Sequence, residues 1–133
     1  MSQTPVIQNI FRLQDFFVSS LSFNIKAGFT EDAAEGLKIT IDRSIAFSTS
    51  DKKLFSVEFD IKIDDKNENF NLSLSCSSVF QTEDDITEEF KQSDFITANA
   101  PAIAFPFARS FINTLTVNAG MPSVIIPAYN FSL

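Results

Sequence analysis

Strict alternation of apolar and polar side chains is the feature that most limits the folds open to this chain. The clearest case is residues 55–63, where Phe55, Val57, Phe59, Ile61 and Ile63 are separated by single polar or charged residues. A period of two places all five apolar side chains on one face of a β-strand. The segment therefore predicts a half-buried strand whose apolar face must be covered by another layer.

Three further segments alternate in the same way. Their apolar positions are Phe11, Leu13, Phe17, Leu21, Phe23 and Ile25 in the first strand, Leu37, Ile39, Ile41, Ile45 and Phe47 in the second, and Phe70, Leu72, Leu74, Cys76 and Phe80 in the fourth. Polar turns at residues 48–53 and 64–69 separate the last three strands, whereas residues 27–35 are too long for a tight hairpin. We therefore expect a four-stranded antiparallel sheet of Greek-key-like order, with a long crossover between strands 1 and 2.

The first strand carries two apolar residues of the opposite parity, Phe16 and Val18. In a regular strand these two side chains lie on the face away from the core. Two adjacent apolar positions on that face form a small patch, and we interpret the patch as an assembly contact.

The hydrophobic period changes at residue 100. Apolar side chains then recur in steps of four residues, at Ile103, Phe107, Phe111 and Leu115. This stripe predicts one long helix that Pro106 kinks and that ends at Gly120, before Pro122. The helix is apolar around so much of its circumference that we expect part of it to contact another subunit. The predicted fold class is α+β.

Composition excludes several function classes. With 17 acidic against 10 basic residues the net charge is −7, which argues against binding of nucleic acids or anionic membrane surfaces. There is no His and one Cys, so Ser–His and Cys–His nucleophiles and the common zinc sites are excluded. The paired acids lie in predicted turns, where they are solvated. We expect no enzyme activity, no metal and no cofactor.

The single Cys fits a reducing compartment. No apolar run reaches the length of a membrane span, and the first eight residues, MSQTPVIQ, lack the basic and apolar regions of a secretory signal. We therefore expect one cytoplasmic domain over residues 1–133, without membrane insertion.

Three motifs carry a resemblance to a known family. The helix and the segment after it match at Pro101, Ile103, Phe105, Pro106, Phe107, Ala108, Arg109, Gly120, Pro122, Asn130 and Phe131; the first strand matches at Phe11, Leu13, Gln14, Phe16, Phe17, Leu21, Ser22 and Phe23; the fourth matches at Phe70, Leu72, Leu74, Val79 and Phe80. In this order the motifs resemble the SecB family of export chaperones over most of the chain.

The resemblance implies an ATP-independent holdase that binds unfolded client polypeptides in apolar grooves. It also implies a homo-oligomer, in which two protomers pair their sheets and two such dimers associate through the long helices. The client-binding residues implied by the resemblance are Phe29, Leu37, Ile39, Met121, Val124, Ile126, Tyr129 and Phe131. The interface residues it implies are Phe70, Leu72, Leu74, Cys76, Phe111 and Leu115, to which the patch of Phe16 and Val18 is added.

Two departures from the family pattern bear on partners. Family members that dock the SecA motor carry acids in the first strand where this chain has Ser20 and Asn24. The sequence also stops at Leu133, before the family's lid helix and its acidic, zinc-contacting tail. Both departures argue against SecA docking. The alternatives are a chaperone dedicated to a toxin–antitoxin pair, a carrier of a small apolar ligand, and a structural subunit that only assembles.

Overall fold

Four antiparallel strands and a C-terminal helix form the fold. The computed structural model describes residues 9–26, 36–66, 68–121, 126 and 131. The strands are β1 (Phe11–Ile25), β2 (Lys38–Phe47), β3 (Leu54–Asp64) and β4 (Phe70–Thr82). A short helix α1 (Glu88–Lys91) and a π-helical turn (Phe95–Asn99) lead into the long helix α2 (Ala100–Asn118). The predicted α+β class, with a four-stranded sheet followed by one long helix, is confirmed.

The strands lie in the order β1-β4-β3-β2, and every neighbouring pair is antiparallel. β1 and β2 are consecutive in the sequence, yet they lie at opposite edges of the sheet. This arrangement agrees with the expected crossover between strands 1 and 2. Among the described residues each edge strand has one strand neighbour, so each presents one unpaired edge of backbone groups.

Polar side chains define the turns between the later strands. Ser48 Oγ accepts hydrogen bonds from the backbone N–H groups of Ser50 and Asp51, at 3.3 and 3.0 Å. At the next turn Asp65 Oδ1 accepts from the Phe70 N–H at 3.0 Å. In both turns a side-chain oxygen accepts hydrogen bonds from backbone N–H groups that are not paired in the sheet. The polar segments predicted as turns therefore form the connections between the strands.

The core lies between one face of the sheet and α2. The alternating side chains of β3 are all at most 2% exposed, and Phe80 of β4 stacks on Phe55 of β3 with ring centroids 5.1 Å apart. The positions of α2 that face the sheet recur in steps of four residues, at Ala100, Ala104, Ala108, Ile112 and Thr116. Most of these side chains are small, so the helix backbone can approach the sheet closely.

β1 departs from the regular strand that the sequence predicts. Its register against β4 shifts between Leu13 and Asp15 and again between Val18 and Ser20, which are two β-bulges. Each bulge inserts one unpaired residue and reverses which parity faces the core. Phe16 and Val18 therefore lie on the helix-covered face, and Phe17 lies on the outer face, 45% exposed. The prediction that placed Phe16 and Val18 away from the core, and Phe17 in it, was wrong.

α2 ends at the glycine expected from sequence. Gly120 has a φ of +78°, a left-handed conformation that other residues rarely adopt. Its N–H donates to the Val117 carbonyl at 3.0 Å, and the Met121 N–H donates to the Thr116 carbonyl at 3.3 Å. This pair of bonds is a Schellman motif, which satisfies carbonyls at the helix end. The helix runs through Pro106 to Asn118.

Candidate functional site

Arg43 is the one charged residue on the inner face of β2. It pairs with Phe59 of β3, between Ile41 and Ile45 on the same face. Its Nη1 donates to the backbone carbonyl of Phe131 at 3.0 Å, and its guanidinium carbon lies 5.1 Å from the centre of the Phe131 ring. Arg43 therefore contacts both the main chain and the aromatic face of one residue, which lies 88 positions away in the sequence.

Three aromatic rings meet beneath this arginine. Phe59 and Phe105 lie 5.5 Å apart, and Phe131 lies 5.6 Å from Phe59 and 5.5 Å from Phe105. All three side chains are buried, whereas Arg43 is exposed at the margin. We call Arg43, Phe59, Phe105 and Phe131 the Arg43 cluster. Arg43, Phe59 and Phe105 together form a site that can hold an aromatic ring and the peptide carbonyl of the same residue.

A second group of exposed apolar side chains belongs to β1 and α2. Leu21 and Ile25 on β1 are 42% and 38% exposed, and Ile103 and Phe107 on α2 are 46% and 45% exposed. The Phe107 ring lies 5.9 Å from the ring of Phe16, which links helix and strand. We call these residues, with Phe16, the β1–α2 surface. Large exposed apolar side chains beside an unpaired strand edge are typical of an interaction surface.

The outer face of the sheet is polar. Glu58, Asp60 and Lys62 of β3 point to this side, and Ser75 Oγ donates to Asp60 Oδ1 at 2.5 Å. Ser20 and Asn24 lie on the same face of β1, and Asn24 Nδ2 donates to Asn71 Oδ1 at 3.0 Å. The positions at which the sequence departs from the family's acids therefore hold neutral, hydrogen-bonding groups on the open face.

The predicted client-binding residues separate into three groups. Leu37 and Ile39 are half-buried at the start of β2. Met121, Ile126 and Phe131 are buried, at 7%, 3% and 4% exposure, and of these Phe131 joins the Arg43 cluster. Phe29, Val124 and Tyr129 lie outside the described residues. The described members do not line one open groove, and their role in client binding stays a prediction.

The predicted interface residues also differ in accessibility. Four of them are at most 2% exposed within one chain: Phe70, Leu72, Leu74 and Cys76. They fill the core beneath α2, so they have no surface left to offer to a second copy. Phe16, Val18, Phe111 and Leu115 are half-buried around the β1–α2 side of the fold. An interface can include these four but not the first four.

The thiol of Cys76 is held in its neutral form. Burial, the largest cause, and the nearby charge of Asp60 raise the pKa of the thiol, a hydrogen bond with the Phe59 backbone opposes them, and together they move the pKa from 9.0 to about 11. A thiol that stays protonated at neutral pH is a poor nucleophile. Cys76 therefore acts as a small apolar core residue, as its parity in β4 predicts.

Within the described ranges, no three Asp, Glu or Cys side chains converge in the manner of metal ligands. The helices that the structure describes include none long and apolar enough to cross a membrane.

Sequence analysis missed Arg43, Phe59 and Phe105 as site residues. Phe59 and Phe105 carry no distinguishing signal, because their patterns are those of ordinary core positions. Arg43 does carry one: it is a charge on the apolar parity of strand 2, where Ile39, Ile41, Ile45 and Phe47 surround it. A charge at an inward position requires a specific partner.

Similarity to known proteins agrees with this architecture. The family model for the preprotein translocase subunit SecB matches residues 5–133. An uncharacterised protein of Methanocaldococcus jannaschii, MJ0357, is 25% identical over 123 residues, covering 90% of this chain and 78% of the relative.

Two solved structures share the fold. The first is Mycobacterium tuberculosis Rv1957, a SecB-like chaperone in complex with a ChAD peptide from the Rv1956 HigA1 antitoxin; it has a TM-score of 0.68 and 12% identity, covering 90% of this chain and 88% of that one. The second is a Streptococcus agalactiae protein of unknown function, with a TM-score of 0.58, 14% identity and coverage of 91% and 99%. Because the family model matches nearly the whole sequence and the predicted sheet and helix are present, this chain belongs to the SecB family.

Proposed function

We propose that this chain is an ATP-independent holdase that binds unfolded polypeptides. Membership of the SecB family, across residues 5–133, is the observation that carries the proposal. The described surfaces support it physically. Exposed aliphatic and aromatic side chains contact many sequences without fixed hydrogen bonds, and unpaired strand edges accept an extended backbone.

The same reasoning favours self-assembly through the β1–α2 surface. Ile103 and Phe107 continue the four-residue stripe to Phe111 and Leu115, so one side of α2 offers a continuous apolar row. β1, whose Phe16 ring contacts Phe107 of this helix, is an edge strand of the sheet. We propose that a second copy pairs with the free edge of β1 to form a dimer, and that two such dimers associate into a tetramer through the apolar rows of their helices.

A dedicated chaperone for a toxin–antitoxin pair is the second candidate. It is favoured by the fold shared with Rv1957, whose structure holds an antitoxin peptide. Ser20 and Asn24 on the open sheet face argue in the same direction. They are neutral, whereas family members that dock SecA carry acidic residues at these positions. We therefore propose client binding in the cytoplasm without motor delivery.

A carrier of a small apolar ligand is favoured less. One described cleft lies at the end of the β3–β4 hairpin and is lined by charged residues such as Lys26, Asp64 and Glu68. Apolar ligands bind in sites lined mainly by apolar side chains. The cleft does not have that character.

The proposal is tested by diluting a guanidinium-unfolded, aggregation-prone enzyme into the purified protein and following light scattering without nucleotide. We expect suppression that saturates near one assembly per client chain, and none with an equal mass of a folded protein that is not a chaperone. No suppression by an intact oligomer would contradict a holdase and favour a structural subunit.

The dedicated and the general chaperone differ in selectivity. A dedicated chaperone binds one antitoxin segment at least about a hundredfold more tightly than unrelated unfolded chains, whereas a general holdase binds them alike. Fluorescence anisotropy with labelled antitoxin segments and scrambled versions of the same peptides separates the two.

A further inference from the structure

A buried carboxylate at the end of the β3–β4 hairpin is only partly satisfied by the fold. The sequence places Asp65 in a polar turn, where an acid is expected to be solvated, yet Asp65 is only 7% exposed. Its Oδ1 accepts the Phe70 N–H at 3.0 Å. Its Oδ2 is buried as well and has no hydrogen-bond partner in the part of the chain that the structure describes. Because such an oxygen is costly to bury, a positive ligand beside it would be stabilising.

The surroundings of Asp65 suit a cation. Asp65 lines the cleft at the end of the hairpin, which has a volume of about 710 Å³ and therefore has room for an ion with its waters. Two further acids, Asp64 and Glu68, line the same cleft, together with Lys26 and Lys66, so three acids face two bases. Within the described ranges neither lysine forms an ion pair with Asp65. The charge of the buried carboxylate is thus left without a direct partner.

We propose that this cleft binds a hard divalent cation, Ca²⁺ or Mg²⁺, and that Asp65 Oδ2 is its main protein ligand. Both ions prefer oxygen ligands. Because no three Asp, Glu or Cys side chains converge among the described residues, waters and carbonyl oxygens must complete the coordination. A site with so few charged ligands is weak, and we expect a dissociation constant of about 1 mM. This inference goes beyond the holdase proposal and does not depend on it.

The sequence of the turn is a second argument for a cation. Residues 65–69 are Asp-Lys-Asn-Glu-Asn, so side chains with an oxygen ligand stand at the first, third and fifth positions. The calcium loop of the EF-hand opens with the same spacing, D-x-[DN]-x-[DN]. The agreement ends there, because Phe70 and Cys76 stand where that loop has its glycine and its closing glutamate. The third position, Asn67, lies outside the described residues.

A cation at this place would stabilise the folded chain. The Lys26 N–H donates to the Asn69 carbonyl at 2.7 Å, so the turn also contacts the end of β1. An ion that binds only the folded turn raises the free energy of unfolding by mass action. Stability therefore reports on binding, without any measurement of client binding.

The first test is thermal unfolding of the full chain, followed by circular dichroism after dialysis against EDTA. Calcium or magnesium chloride is then added at about ten times the expected dissociation constant. Potassium chloride at equal ionic strength is the reference, because screening alone changes the stability of a chain with a net charge of −7. At least one of the two ions should raise the midpoint about 4 °C above this reference. No rise with either ion would overturn the proposal.

Asp65→Asn separates the cation site from the turn, because an amide oxygen can still accept the Phe70 N–H but carries no charge. We expect its shift to fall below about 1 °C. Asp85→Asn is the matched control, since it makes the same exchange at an exposed position beyond the other end of β4. It should keep the full shift. A full shift in Asp65→Asn, or an equal loss in both variants, would overturn the site, because the ion would then act on the overall acidic charge.

Isothermal titration calorimetry with the ion that gives the larger shift measures binding directly. We expect about one site per chain, and at least about tenfold weaker binding by Asp65→Asn. Several equal weak sites that Asp65→Asn leaves in place would overturn the proposal. If Asp65→Asn does not fold, Asn69→Asp adds a carboxylate at the fifth position of the turn. It should tighten binding about threefold, because affinity rises with the charge of the ligands; unchanged or weaker binding would overturn the proposal.

Discussion

The ring of Phe16 on β1 lies 5.9 Å from the ring of Phe107 on α2. This contact exists because two β-bulges in β1 reverse the parity of residues 15–18. Without the bulges Phe16 would point to the polar face of the sheet, and its neighbour Phe17 would face the helix. The bulges thus decide which aromatic ring supports the β1–α2 surface and which is exposed on the opposite side.

The bulges predict that two adjacent substitutions in β1 lower the free energy of unfolding by unequal amounts. Phe16→Asp places a charge beside Phe107 and should lower the free energy of unfolding by about 2 kcal/mol. Phe17→Asp lies on the open face and should cost less than about 1 kcal/mol. Urea unfolding followed by circular dichroism measures both. The two variants are matched controls for each other, because both replace Phe by Asp and the two positions are adjacent. If Phe17→Asp were the less stable of the two, β1 would be a regular strand without the bulges.

Phe107→Asp should weaken self-association with little loss of folding. The side chain is 45% exposed in one chain, so the substitution removes little internal packing, but it would place a charge inside an interface. We expect the dissociation constant of the oligomer to rise at least about tenfold. Analytical ultracentrifugation over a range of concentrations measures this change.

Ala102→Asp is the control for that experiment, because it introduces the same charge on an exposed position of α2 that lies about 140° around the helix from Phe107, outside the apolar stripe. It should leave the mass distribution unchanged. Equal dissociation of the two variants would show that charge on the helix, and not the stripe, governs assembly.

Gly120→Ala should lower the free energy of unfolding by about 1 kcal/mol, because the left-handed φ of +78° disfavours any Cβ. Apart from the glycine itself and its two chain neighbours, no atom of the described residues lies within 4 Å of the position that the Cβ would take, so the expected cost is conformational. Thermal unfolding measures it. Asn118→Ala, which is exposed and helical, serves as the control, and equal midpoints for the two variants would contradict the Schellman ending.

Cys76 predicts a loss of stability at alkaline pH. The folded chain keeps the thiol proton up to a pKa of about 11, whereas the unfolded chain releases it near 9.0. Between these values the unfolded state binds fewer protons, so the free energy of unfolding falls as pH rises, and the thiol's contribution is complete below pH 9. In Cys76→Val this part of the decline should disappear. Parallel pH profiles of the two proteins, measured by urea unfolding, would contradict the prediction.

Hydrophobic periodicity was sufficient to predict most of the fold. The alternation in residues 55–63 appears as β3, and each of its apolar side chains is buried. β3 is a central strand, so the strands on both sides fix which of its faces is turned toward the core. The four-residue stripe from Ile103 appears as α2, and Gly120 ends that helix with the expected left-handed backbone. In these segments local pattern and tertiary environment require the same arrangement.

The sequence by itself therefore determined the element types, their order and the family. Only the tertiary structure decided which parity of β1 faces α2, because both parities carry Phe and a bulge depends on pairing with β4. Only it joined Arg43 to Phe131, since 88 residues separate them and no local pattern encodes that contact. Hydrophobic periodicity reports only on residues that are near one another in the sequence. A site is formed by side chains from distant segments, which meet only after the sheet and the helix have packed together.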